Sequence, residues 1–162
     1  MNTSRFDKAG LFTCVILVLI GSCGKNDAGD VEKIIVEKEK QLLDEWGKGH
    51  TMVFPNSSAT DITYFDPTLD KRLDGLQAFS DLCKAAEGKF TIDKYEMLNP
   101  KVQVYGEIAV LTYNLVDHSK KPDGAEQKSF WNSTEVYHKE AGGWRIVHSH
   151  WSFTKPTIAP SK

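Results

Sequence analysis

Cysteine is scarce in this chain, with three residues in 162, at positions 14, 23 and 83. No two of them have the spacing of a metal ribbon or a redox pair. No apolar run approaches the roughly 20 residues that a membrane-spanning helix needs. A phosphate-cradling glycine-rich loop is missing, and so is a Gly-x-Ser-x-Gly elbow. Charge of one sign is missing too, because 20 Lys and Arg face 22 Asp and Glu. Such a balance gives no electrostatic footprint for nucleic acid, so no nucleic-acid partner is expected.

What is present starts at the N-terminus. Arg5 and Lys8 make a weakly positive opening, Leu11 to Ile20 is apolar apart from Thr13, and Ile20-Gly21-Ser22-Cys23 places small residues before a cysteine. This is the layout of a secretory signal. It resembles the bacterial lipobox, in which the cysteine thiol takes diacylglycerol and becomes the first residue of the mature protein. Residues 1–22 are therefore expected to be a lipoprotein signal peptide, with lipidation at Cys23. Residues 23–29 are read as a polar tether, 30–155 as one domain and 156–162 as a tail. Two or more acyl chains, at about 0.8 kcal/mol per buried methylene, would hold such a protein on a bilayer. The expected location is the cell envelope, outside the cytoplasm, with the lipid anchor as the sole membrane contact. Removing Arg5, Lys8 and Asp7 from the totals leaves 18 basic and 21 acidic residues, a net charge of −3. Cys14 would leave with the signal and Cys23 would be lipidated. Cys83 then has no partner and reads as a small core residue.

Along the domain, Val31, Ile34, Ile35, Leu42 and Trp46 recur at helical spacing, with Asp30 as the expected N-cap and Gly47 as the stop. Residues 50–58 are ambiguous between loop and short helix. Residues 61–66 read as a strand ended by Pro67. Asp74 is the expected cap of a second helix with Leu76, Phe79, Leu82, Cys83 and Ala86 as its buried stripe. Five strands are then expected, over 91–98, 101–105, 108–117, 128–139 and 144–154, separated by Asn99-Pro100, Gly106, Pro122-Asp123-Gly124 and Gly142-Gly143. Helices followed by strands argue for an α+β domain with the helices on one face of an antiparallel sheet. A sheet with one wet face should alternate apolar and polar residues. Yet Trp144 and Ile146 have one parity and Val147 and Trp151 the other, and residues 108–115 are apolar at both parities. Both faces should then be covered, and a second subunit is the economical cover for the outer one.

Three stretches carry a resemblance to a known family. They are Ile62-Thr63-Tyr64-Phe65-Asp66-Pro67 before Leu73-Asp74-Gly75-Leu76, Met97-Leu98-Asn99-Pro100 leading through Gly106-Glu107, and Gly143-Trp144-Arg145-Ile146-Val147-His148-Ser149-His150-Trp151-Ser152. Together they resemble the SnoaL-like branch of the nuclear transport factor two-like superfamily, and most closely the association domain of calcium/calmodulin-dependent protein kinase. The resemblance covers residues 31–153. It implies a cone-shaped, curved antiparallel sheet wrapped around the N-terminal helices, with a deep pocket at the wide end. It also implies dimers or larger rings, and members that are isomerases, cyclases, dehydratases or non-catalytic domains. In the kinase association domain, pocket arginines take carboxylate ligands. The matching positions here read Leu115, Glu135 and Trp151, so carboxylate binding is not expected to carry over.

Three constellations could carry chemistry. His138, His148 and His150 could in principle bind zinc, but hydrogen-bonded structural histidines are expected instead, and neither a metal nor another cofactor. Tyr64, Asp66, Tyr113, Leu115, Glu135, Tyr137, Ser149 and Trp151 are expected to form the pocket wall, with Glu135, Asp66 and His150 as candidate catalytic groups. A carboxylate in an apolar pocket has a raised pKa and can act as a general base. The plain alternative is that Glu135 pairs with Arg145. Trp46, Phe54, Tyr64, Phe79, Trp131 and Trp151 are rigid apolar surfaces suited to a lipophilic ligand, or simply to a core. Asn56-Ser57-Ser58 and Asn132-Ser133-Thr134 match a glycosylation pattern by chance. The expected function is a non-catalytic small-molecule-binding or interaction module that forms a homodimer. An enzyme of the isomerase, dehydratase or cyclase type is the rival, and a purely structural dimerisation domain the third reading.

Overall fold

Helix α1 (Ala28–Gly47) is amphipathic, and Val31, Ile35, Glu39, Leu42 and Leu43 form its buried face. These positions recur at three- and four-residue intervals, the spacing that aligns side chains on one side of a helix. The computed structural model describes residues 28–121 and 123–154. The expected signal peptide, Cys23 and the tail at 156–162 lie outside the described residues. The expected tether lies mostly outside them too, but its last two residues, Ala28 and Gly29, already belong to α1. Asp30 stands in the first turn of α1 rather than at its cap.

A short helix α2 (Val53–Ser57) leads into β1 (Ser58–Phe65), which resolves the ambiguity of residues 50–58. Then come β2 (Leu73–Asp74), α3 (Leu76–Ala86), β3 (Lys94–Tyr105), β4 (Ile108–Lys120), β5 (Glu126–Glu140) and β6 (Gly143–Phe153). Asp74 does not cap α3, because it pairs with Thr63 in the sheet. The N-cap is Gly75 at φ 87°, a conformation glycine adopts freely, and its N–H donates to Ile62 O at 2.7 Å.

The six strands form one sheet in the order β2-β1-β6-β5-β4-β3. All neighbours are antiparallel except β1 and β6, which run parallel. A parallel neighbour needs a long crossover, and here everything from β2 to β5 lies between the two strands. The two strands expected over 91–98 and 101–105 are one strand, β3, with a bulge. Leu98 faces Asn114 and Lys101 faces Thr112, so Asn99 and Pro100 together oppose Tyr113, with Asn99 at φ 51°. Such an extra residue bends the strand and deepens the twist, which curves the sheet around α1 and α3.

A second bulge removes one argument for a covered outer face. Val136 faces His148 while Tyr137 faces Ile146, so Val147 is the inserted residue of β6. The insertion switches the parity of the strand. Trp144 and Ile146 before it, and Ser149 and Trp151 after it, all reach the concave side. The double-sided apolar pattern of β6 is therefore one face read through a bulge. In β4 the inner residues Ala109, Leu111, Tyr113, Leu115 and Asp117 are buried, and the outer Ile108, Val110 and Val116 are half-buried.

Candidate functional site

The concave side of the sheet encloses a cavity of about 260 Å³. All six aromatics singled out from the sequence, Trp46, Phe54, Tyr64, Phe79, Trp131 and Trp151, line it. Trp46 meets Phe54 edge to face at 5.6 Å between ring centroids, and Trp131 meets Trp151 in the same way at 6.1 Å. Edge-to-face packing suits the quadrupoles of the rings and fixes their positions.

The turn after α1 builds another part of the wall. Gly49 stands at φ 88°, and a Cβ there would lie 2.8 Å from Phe90 O. Gly88 N–H donates to Gly49 O at 3.0 Å, and Ile92 N–H donates to Gly47 O at 2.8 Å. These bonds clamp residues 88–92 against the end of α1 and place Phe90, Thr91 and Ile92 on the cavity wall.

The polar groups of the cavity are few. Asp66 accepts a hydrogen bond from Tyr64 Oη at 3.1 Å and from the Thr68 N–H at 2.8 Å. Asp117 accepts one from Trp131 Nε1 at 2.6 Å. Ser119, Thr91 and Ser149 complete the set, and among the described residues no Lys, Arg or His lines the cavity.

Of the eight residues expected on the pocket wall, five are on it: Tyr64, Asp66, Leu115, Ser149 and Trp151. The other three, Tyr113, Glu135 and Tyr137, lie behind it in the core. Glu135 faces Ser149, which is the register that puts both on the concave side. Its Oε1 accepts from Ser149 Oγ at 2.8 Å and from Ser133 Oγ at 3.4 Å. Its Oε2 is buried and has no partner among the described residues. Arg145 does not pair with it, donating instead to Asn56 O at 2.9 Å and Ser58 O at 2.5 Å.

A second buried acid, Glu39, was not foreseen from the sequence. Glu39 of α1 is fully buried and accepts hydrogen bonds from Tyr113 Oη at 2.6 Å and from Tyr137 Oη. Burial raises the Glu39 carboxyl above its usual value, against the pull of both tyrosines. Burial, and then the charge of Glu39, push Glu135 well above its usual value. Tyr113 and Tyr137 are themselves pushed well up by burial and then by Glu39, so they remain neutral donors. Glu39 was legible in one respect, since it sits four residues after Ile35 and three before Leu42 on the apolar stripe. Asp117 was missed because the strand was ended at that residue, although it continues the inner parity of Leu111, Tyr113 and Leu115.

His150 does not join the cavity. It faces Thr134, is exposed, and stacks near Phe65 at 5.4 Å between centroids, on the outer side of the sheet. His148 Nδ1 lies 2.7 Å from Thr63 Oγ1, and burial lowers its pKa. His138 faces Arg145. Among the described residues, no three His, Cys, Asp or Glu side chains converge on a metal geometry. Cys83 is buried in the core, where burial pushes its thiol up to about 12, far from a reactive thiolate.

The model of the SnoaL-like domain family matches residues 51–156. The chain belongs to this family. A candidate ketosteroid isomerase of Parabacteroides distasonis is 32% identical, with a TM-score of 0.69 over 83% of this chain and 96% of that one. The association domain of C. elegans CaMKII is 23% identical, with a TM-score of 0.66 over 76% of this chain and 96% of that one. An NTF2-like protein of unknown function from Pseudomonas putida is 19% identical, with a TM-score of 0.67 over 83% and 94%. The last two share the fold. No curated protein matches the chain.

Proposed function

We propose that this SnoaL-like chain is an exported, lipid-anchored module that binds a small molecule in the concave cavity without transforming it. One observation carries the non-catalytic reading. The two buried acids with raised proton affinity, Glu39 and Glu135, are sealed behind the cavity wall, and a general base must reach the proton it removes. A cavity lined by seven aromatics and a few placed polar groups fits a binding site, and it argues against a cone filled for purely structural use. Export and anchoring rest on the sequence from Arg5 to Cys23. The homodimer rests on the half-buried Ile108, Val110 and Val116 together with exposed Leu98 and Phe130 on the outer face, and the name of the association-domain neighbour agrees with assembly through this fold.

Two experiments test the reading. Radiolabelled palmitate should enter the wild-type protein and not the Cys23→Ser variant, and wild-type protein without label would remove the anchor. A thermal-shift screen of small lipophilic metabolites should find stabilising compounds, since a ligand at 100 times its Kd adds about 2.7 kcal/mol. A screen without hits would count against the cavity as a binding site.

The isomerase reading has one specific support, the description of the 32% identical relative. On this chain the base would have to be Asp66 or Asp117, the carboxylates that line the cavity. Turnover of an unsaturated ketosteroid by the wild-type protein, lost in Asp66→Asn or Asp117→Asn, would establish it over the binding reading.

A further inference from the structure

We propose that the cavity selects a small organic cation, an amine carried on an apolar or aromatic body; this rests on the cavity being a binding site. The ionisable groups on its wall are Asp66, Asp117 and the Tyr64 hydroxyl, and among the described residues no basic side chain accompanies them. Neither aspartate forms an ion pair among the described residues. Asp117 is 7% exposed, and the hydrogen bond from Trp131 Nε1 orients its carboxylate without neutralising it. A carboxylate taken out of water without a counter-charge is costly, and a bound cation relieves that cost.

The walls around these acids suit the same ligand. Trp131 stands between Trp151 and Phe153, and Trp46 stands against Phe90 at 5.0 Å between centroids. Indole faces attract a cation, the more so when water is excluded. The body of the ligand fills the aromatic part of the cavity and the ammonium lies at Asp117. An anionic ligand of the same shape meets two carboxylates across a low-dielectric space and is rejected.

Calorimetry on the full chain with three matched probes decides the matter: 3-phenylpropylamine, 3-phenylpropanol and 3-phenylpropionate. The bodies are alike and only the charge differs. The amine should bind about tenfold or more tighter than the alcohol, and the carboxylate weakest. In Asp117→Asn, which retains an oxygen acceptor for Trp131, the amine should fall to within about threefold of the alcohol. Alcohol binding with equal or weaker amine binding overturns the cation preference and leaves the binding site standing. A carboxylate that binds tightest does the same. Binding of none of the three overturns the binding site and the preference together. The ranking on the wild-type protein is decisive by itself should the variant fail to fold.

Discussion

Replacing Glu135 by Gln should change how stability depends on pH more than it changes stability itself. Folded Glu135 holds its proton well above its ordinary value of 4.5, because of burial and then the charge of Glu39. When the chain unfolds, the carboxyl returns to its ordinary value and releases the proton at neutral pH. Its contribution is therefore fully present below about 4.5 and is lost as pH rises through the raised folded value. Between those limits each excess proton held by the folded state costs about 1.4 kcal/mol of stability per pH unit. Glu39 and Glu135 are close enough to titrate as a pair, so the slope belongs to both. Glu135→Gln keeps the shape and removes one proton-holding site. The stability difference, variant minus wild type, should grow as pH rises from about 4.5 towards the raised folded value, by at most about 1.4 kcal/mol per pH unit. An amide left without a partner would shift the whole curve down by about 1–3 kcal/mol and would leave that slope intact. Urea unfolding at half-unit steps of pH measures it. Exposed groups that also titrate cancel in the difference. A difference that is flat with pH, or that grows towards acid, refutes the account of a protonated buried pair.

Gly49→Ala should cost about 2–3 kcal/mol, from the positive φ and the Cβ against Phe90 O, and it should weaken ligand binding because Phe90 moves with the clamp. Thermal melts and calorimetry read both, and a melt unchanged within a degree would argue against the clamp. Val110→Lys places a charge in the middle of the outer face of β4 and should convert a dimer to monomers in sedimentation velocity. A dimer of unchanged strength would exclude packing through that face.

How much of this was visible in the sequence depends on whether a residue's role was local. The order of helices and strands was legible because apolar spacing of three to four residues, and then of two, is imposed by the geometry of each element. Six of the seven aromatics on the cavity wall were named from the sequence, and Phe90 was missed because it lies between α3 and β3, where no periodic pattern marks a buried face. Asp74 was misread because a cap signal and a strand-pairing signal look alike until the partner strand is known, and Thr63 is that partner. The bulges were invisible for a related reason. An inserted Val147 leaves no mark on composition, yet it transfers Ser149 and Trp151 to the face already occupied by Trp144 and Ile146. The alternation rule, applied through it without a break, produced a false second face. Glu39 shows the remaining limit. A glutamate on an apolar stripe is conspicuous, but what makes it tolerable is Tyr113 and Tyr137, 74 and 98 residues away along the chain. Those tyrosines lie on the inner parity of β4 and β5, so the sequence places all three groups on buried faces without saying that the faces meet. Tyr113 and Tyr137 donate to Glu39, Ser133 and Ser149 donate to Glu135, and the cavity is left to Asp66, Asp117 and the indoles.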